Sequence, residues 1–398
     1  MKSRLMASKY QGAVAVLVLL LLLLASCVPL PLDPRWASVS LVDNGQEIFF
    51  AFHDHATLID PVDGSLVELR DSSGNVRVDS ETGNALTWRV QVQANPATIF
   101  YFPPITIDEN TLLLPSFSRR FYEVDVEAAR VLNPEGRLIN ADTQTSHIVA
   151  NVLATDDSLY VPLSEGDVTA INRDDYSERW KFDTEFGVWA QPLLVDGVLY
   201  ITSLDHFLYA LDADNGDMLW KVDLQGAAAS TPVYADGYLY VGSFGRKLFK
   251  IATDGTVAAE FEVKNWIWGS PALSADNILY AADSSGWVHA LDVSGSDMSL
   301  VWERQVAERA IRATPLVADD KLVVASRDHN AYWLSRDDGN ELFHRELVGE
   351  VLADMVVVEP SENVNIPEPY VLISTMANDE ALVAFTLESG ERRWAYRH

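Results

Sequence analysis

From Ala150 onward the chain repeats itself about every 41 residues, and no other feature narrows its possible folds so far. Trp180, Trp220, Phe261, Trp302 and Phe343 follow one another at steps of 40, 41, 41 and 41 residues. A second marker keeps the same step, because turn aspartates at Asp156, Asp196, Asp236, Asp276 and Asp319 recur at 40, 40, 40 and 43. Two landmarks of unlike chemistry on one period define a repeat, and a period of about 40 to 45 residues belongs to propellers. Residues 192 to 222 show the unit: Pro192 to Val195, Val198 to Thr202, Phe207 to Leu211 and Met218 to Val222, separated by Asp-Gly and Asp-Asn-Gly turns. Such pairs accept the positive φ angles of tight hairpins, so each unit reads as four antiparallel strands, one propeller blade.

The stretch Leu208-Tyr209-Ala210-Leu211-Asp212-Ala213-Asp214-Asn215-Gly216-Asp217-Met218-Leu219-Trp220 resembles the repeat of pyrroloquinoline-quinone-like propellers. Further copies lead from Val168-Thr169-Ala170-Ile171-Asn172 to Trp180, from Val288-His289-Ala290-Leu291-Asp292 to Trp302, and from Leu382-Val383-Ala384-Phe385 to Trp394. Upstream, Val78-Asp79-Ser80-Glu81-Thr82-Gly83 runs into Trp88, and Tyr122-Glu123-Val124-Asp125 toward Leu132. Downstream, a Pro/Glu/Asn stretch from Glu359 to Pro369 lengthens one hairpin. The unit ends are then Trp88, Leu132, Trp180, Trp220, Phe261, Trp302, Phe343 and Trp394, which predicts an all-β, eight-bladed β-propeller over residues 36–398. An irregular stretch over 36–93, with a further copy of the motif at Leu58 to Gly64, leaves seven blades as the alternative. A closed ring has few free sheet edges, so a monomeric ring is expected.

Tryptophans recurring once per blade read as wedges between sheets, which assigns Trp88, Trp180, Trp220, Trp302 and Trp394 a structural role. The resemblance also implies a rival, because quinoprotein dehydrogenases of this fold stack their quinone on an indole, against adjacent cysteines and beside calcium. This chain has a single cysteine, Cys27, so neither the quinone nor calcium is expected as a resident cofactor. The densest acidic turn, Asp212 to Asp217, lacks the distal glutamate of a calcium loop, and turn capping is the expected role of its side chains. His53 and His55 share a strand face, but with no identifiable third ligand they read as solvated turn residues, as do His206 and His329, and no metal site is assigned. No phosphate-binding glycine loop and no nucleophile set stands out, so no catalytic residue is assigned.

The N-terminus combines Lys2, Arg4 and Lys9 with an apolar run from Ala13 to Leu24, and Leu24-Ala25-Ser26-Cys27 resembles a bacterial lipobox. That resemblance implies a signal peptide over 1–26, lipidation of Cys27, a proline-rich spacer through residue 35, and an extracytoplasmic protein held to a membrane by its acyl chains alone. The formal charge is −29, which excludes nucleic acid and anionic lipid as partners of the body.

Three residues before each blade-opening proline, at the expected mouth of the central channel, stand Trp189, Ala229, Trp268 and Arg312, with Trp266 and Arg309 close by. Aromatic and guanidinium groups are enriched at binding hot spots, so Trp189, Trp266, Trp268, Arg309 and Arg312 form the candidate binding set, with plugging of the channel as the alternative. Anchor and repeats together are similar to the lipoprotein subunit of the outer-membrane barrel-assembly machinery, a family that binds partner segments at blade-connecting loops. The expected function is a non-catalytic, membrane-tethered platform for a protein or peptide partner. The alternatives are a quinone-dependent dehydrogenase and a carbohydrate or cell-wall binding module in which Trp189, Trp266 and Trp268 stack on sugars.

Overall fold

The computed structural model describes residues 37–42, 47–52, 55–71, 73–92, 98–139 and 146–397, so the readings on the signal peptide, Cys27, the spacer and His53 lie outside the described residues. Eight antiparallel sheets follow in chain order, each pairing its strands in sequence order. Blade 1 runs from Ala37–Val42 to Arg89–Gln91, and blade 2 from Ile105–Asp108 to Arg130–Val131, with a fifth strand, Arg137–Leu138, on its third. Blades 3 to 5 run from Leu153–Ala154 to Glu178–Asp183, from Leu193–Val195 to Met218–Asp223, and from Val233–Ala235 to Val257–Glu262. Blades 6 to 8 run from Ala272–Leu273 to Ser299–Gln305, from Leu316–Ala318 to Glu341–Glu346, and from Val356–Val358 to Arg392–Tyr396. Among the described residues the one helical segment is the short turn Asn378–Glu380, and no helix is long and apolar enough to cross a membrane.

Burial orders the strands of a blade. In blade 4 the first strand is half-buried, the second and third are almost wholly buried, and the fourth carries exposed positions such as Met218 and Leu219. The first strands of neighbouring blades approach one another near the axis, where Thr231 Oγ1 donates to Gln191 O at 3.1 Å. The core therefore lies between blades. Tyr200, Leu208 and Ala210 of blade 4 pack on Leu239, Phe249 and Ile251 of blade 5, and comparable clusters join other neighbours.

One contact recurs around the ring. In blades 3, 4, 6 and 8 a third-strand alanine pairs across the sheet with a fourth-strand tryptophan: Ala170 with Trp180, Ala210 with Trp220, Ala290 with Trp302, and Ala384 with Trp394. A bulge beside each pair aims the indole at the next blade. There its Nε1–H donates to a turn carbonyl: Trp180 to Ala213 O at 3.0 Å, Trp220 to Thr253 O at 3.0 Å, Trp302 to Arg336 O at 2.7 Å, and Trp394 to Pro61 O at 3.2 Å. Trp88 of blade 1 donates likewise to Val126 O at 2.6 Å. For the indoles of blades 3, 4, 6 and 8 the same turn supplies a glycine at positive φ under the ring, whereas the turn that receives Trp88 has Ala129 at φ 48°. A methyl on Gly64, at φ 76°, would lie 2.5 Å from Trp394, and one on Gly339 equally close to Trp302. Only glycine combines that backbone angle with that approach.

The last such clasp closes the circle. Trp394, Tyr370 and Leu372 of blade 8 pack with Phe50 and Ile59 of blade 1, and the Trp394 indole and the Tyr370 hydroxyl both donate to Pro61 O. Among the described residues closure is by packing between two four-stranded sheets, the strands of residues 37–91 on one side and of 356–396 on the other, with no strand exchanged.

Several expectations from the sequence require correction. The Leu58 to Gly64 motif is blade 1's own third strand and clasp turn, whereas Val78 to Gly83 forms a hairpin tip with open space around Gly83. The two share turn chemistry, and the packing surface offered by Trp394 distinguishes them. Leu132 is exposed, and at the junction of blades 2 and 3 Arg137 donates to Asp175 O at 2.8 Å instead. Phe261 keeps the period but sits two residues beyond the clasp position, edge-on to His289 of blade 6. The clasp position of blade 5 is Ala259, paired with Lys250, so the large and small residues have exchanged strands. Lys250 is buried, and its Nζ donates to Val293 O of blade 6 at 2.9 Å, the bond an indole makes elsewhere. His55 is a buried strand residue, not a solvated turn one.

Trp394→Ala is expected to cost about 3–5 kcal/mol, and Gly64→Ala about 1–3 kcal/mol through overpacking and backbone strain, both read as a lower denaturant midpoint. A neutral result for both would remove ring closure from this contact.

Candidate functional site

Each connection that leaves a fourth strand is tied to the loop between the second and third strands of the blade it enters. A residue near the start of the loop donates its N–H to a connection carbonyl: Leu204 to Gly187, Phe244 to Ala227, Ser284 to Trp266, Arg327 to Ala310 and Met376 to Glu350, at 2.7–3.0 Å. Connections and loops therefore share one face of the ring. Carboxylates add a second tie, two of them buried (Asp205 and Asp283) and Asp328 half-buried. Asp205 Oδ2 accepts the Glu185 N–H at 3.0 Å, Asp283 Oδ2 that of Asn265 at 3.0 Å, and Asp328 Oδ2 that of Glu308 at 2.9 Å. Asn265 and Glu308 directly precede Trp266 and Arg309, so two of the sequence-selected residues hang from pinned backbone.

On this face four of the five selected residues come together. Phe244 of blade 5 stacks on Trp266, with centroids 5.3 Å apart, and on Trp268 at 5.1 Å. The Arg312 guanidinium lies 4.3 Å over the Trp268 ring. Arg309 and Arg327 grip the two oxygens of Glu350, at 2.6 and 2.7 Å. Burial works against ionisation of Glu350, but its bonds to Arg327 and Arg309 prevail and hold the carboxyl below the usual range. Burial lowers the pKa of Arg312 as well, Arg327 adds to that effect, and Glu350 opposes it. Trp266 is 51% exposed, while Trp268 and Arg312 are half-buried.

Trp189 stands apart, on the connection into blade 4, where its indole packs over Gly187. Phe244, Arg327 and Glu350 were not selected from the sequence. A usable signal exists for two of them: Phe244 and Arg327 each follow a buried serine at the end of a second strand or directly after it, Ser243 and Ser326.

Beneath the row, blade 6 holds a buried polar group. His289 Nε2 lies 3.4 Å from Asp283 Oδ2, and its Nδ1 lies 3.3 Å from Glu303 Oε2, without hydrogen-bond alignment in the second case. Desolvation alone would raise the Asp283 pKa, yet bonds from His289, from Ser285 and from the Trp287 N–H outweigh it and leave it lowered. In the acidic turn of blade 4, Asp212 Oδ1 accepts the Asp214 and Asn215 N–H groups, the geometry of a turn cap. Among the described residues no three His, Cys, Asp or Glu side chains gather as a metal-holding group.

A family model described as outer membrane protein assembly factor BamB matches residues 72–265, 164–307 and 252–398. No curated protein matches the chain. Among solved structures, BamB from Moraxella catarrhalis is similar with a TM-score of 0.63 at 14% identity, covering 89% of this chain and 97% of its own. The computationally designed Ika8 protein is similar with a TM-score of 0.63 at 12% identity, covering 90% of this chain and 98% of its own. At these identities the likeness establishes the fold.

Because the Asp283 carboxyl ionises more readily in the folded ring than in the unfolded chain, its contribution is full above about pH 4 and is lost as pH falls through the folded pKa. Asp283→Asn is therefore expected to cost about 1–3 kcal/mol at neutral pH, with the gap to wild type narrowing on acidification. Thermal unfolding from pH 7 to pH 3 reads this directly, and a gap that widens toward low pH would contradict it.

Proposed function

The chain belongs to the family described as outer membrane protein assembly factor BamB, and on that premise we propose that it is a non-catalytic platform for a protein partner in an assembly complex. The observation that carries this reading is the row Phe244, Trp266, Trp268 and Arg312, assembled on backbone that is tied twice to the ring. Exposed aromatics and arginines on a rigid support are the composition of a protein-binding hot spot. A platform needs residues held ready for contact, whereas catalysis needs a reacting group, and the row contains stacking and cationic side chains only.

The proposal includes location. A chain with Cys27 acylated would be tethered outside the cytoplasm, and the printed name of the family model supports an association with the outer membrane. The charge of −29 keeps the body off an anionic lipid surface, so the connection face stays accessible to partners. The quinoprotein alternative lacks the adjacent cysteines that its cofactor pocket uses, since Cys27 stands alone.

A photo-crosslinking residue placed at Trp266 in cells of the source organism is expected to yield a discrete protein adduct, and the same probe at Val301, on the outer strand of blade 6, none. In the same preparations Cys27→Ser is expected to move the protein out of the detergent phase and to weaken the adduct. Identical adducts from both positions would refute the platform at this face, and unchanged partitioning would refute the tether.

A further inference from the structure

The row contains a charge with no partner. Arg312 is half-buried, yet among the described residues its guanidinium has no hydrogen bond and no ion pair and lies instead on the face of Trp268. The surrounding carboxylates are committed elsewhere: Glu350 to Arg309 and Arg327, Asp328 to the N–H of Glu308 and the hydroxyl of Tyr332, and Asp354 to the N–H of Thr314. Glu350 thus bonds two of the three guanidinium groups and attracts Arg312 only at longer range, in a chain whose formal charge is −29. A half-buried, unpaired guanidinium costs stability unless something pairs with it. Its nitrogens are not sealed off from solvent, so an incoming acceptor can reach them.

We propose that Arg312 receives a single carboxylate side chain carried next to an aromatic or apolar residue on an extended stretch of the partner polypeptide, with that neighbour seated on the exposed indole of Trp266. The proposal rests on the platform reading and names the chemistry of its partner. Charge decides between ligand classes. The acidic body repels polyanions such as nucleic acid, polyphosphate or polyuronate at long range, while the local cation attracts a lone carboxylate on a segment of low net charge. Stacking supplies the second element. One side of Trp266 is occupied by Phe244 and the indole is still half exposed, so a flat or apolar side chain has a surface to cover. Arginine is suited to this role because its planar fork binds a carboxylate while its face remains stacked on an indole.

The test uses the purified full-length protein and fluorescein-labelled heptapeptides with one glutamate between two phenylalanines, or glutamine in its place, read by fluorescence polarisation. Wild type is expected to bind the glutamate peptide about tenfold tighter than its glutamine analogue. Arg312→Gln is expected to abolish that preference with at most a small loss in the melting midpoint, because in the free protein the guanidinium gives up only its place on the Trp268 ring. Trp266→Ala is expected to weaken both peptides alike. Equal binding of the two peptides to wild type, binding of neither, a preference that survives Arg312→Gln, or stronger competition by polygalacturonate than by the peptide would each overturn the proposal. A protein adduct at Trp266 without any carboxylate preference would overturn this inference and leave the platform standing, whereas loss of both adduct and peptide binding would remove both.

Discussion

The ring is held by one recurring constraint: at six of its eight junctions a single large side chain fills the turn of the neighbouring blade and donates a hydrogen bond to a carbonyl there. A sheet of four short strands buries too little surface to stand alone, and its two faces find cover only between neighbours. The indole meets both needs, since it fills volume and carries a single N–H that would be costly to bury unpaired. The turn answers with a free carbonyl and a glycine without a Cβ in the way. Blade 5 shows that the constraint is physical and not a preference for tryptophan. There Lys250 comes from the opposite strand, fills the space left by Ala259, and donates to the equivalent carbonyl. Burial lowers its pKa, against the pull of Asp236, Asp292 and Asp297, and the carbonyl bond satisfies the ammonium directly.

Function depends on this rigidity through the connections. The clasps fix the sheets, the sheets fix the second-to-third-strand loops, and each loop pins the connection that enters its blade by one backbone bond, reinforced in blades 4, 6 and 7 by a carboxylate. Phe244, Trp266, Trp268 and Arg312 come from three successive points of the chain, yet they stack without any one element spanning them. Such preorganisation spares a partner the entropy of ordering the site on binding.

The fold was legible because the clasp imposes a period on side-chain volume, and Trp180, Trp220 and Trp302 display it openly. It misled where volume passed between strands: the aromatic at Phe261 preserves the spacing, while Ala259 and Lys250 hold the position. Turn chemistry was legible but not unique, since Val78 to Gly83 and Leu58 to Gly64 carry equivalent signals and only the latter turn meets an indole. At the candidate site, the position before the opening proline brought out Trp266, Trp268, Arg309 and Arg312 because it marks where each connection reaches the axis. Their companions Phe244, Arg327 and Glu350 belong to other loops and connections, and the packing of successive blades side by side, not sequence proximity, brings them near. Trp189 shares the sequence position but not the row, and the connection between them, into blade 5, carries Ala229 at that position.

The most direct measurement of the clasp is a double-mutant cycle in blade 5, comparing denaturant unfolding of Lys250→Ala, Ala259→Trp and the combined variant. If one shared volume and one donated bond hold the junction, each single change destabilises, by leaving a cavity or by overfilling it. The combination should then recover stability, with a coupling of at least about 1 kcal/mol. Additive losses in the combined variant would contradict the account, because they would mean that the two positions act independently and that no common requirement governs the junctions of the ring.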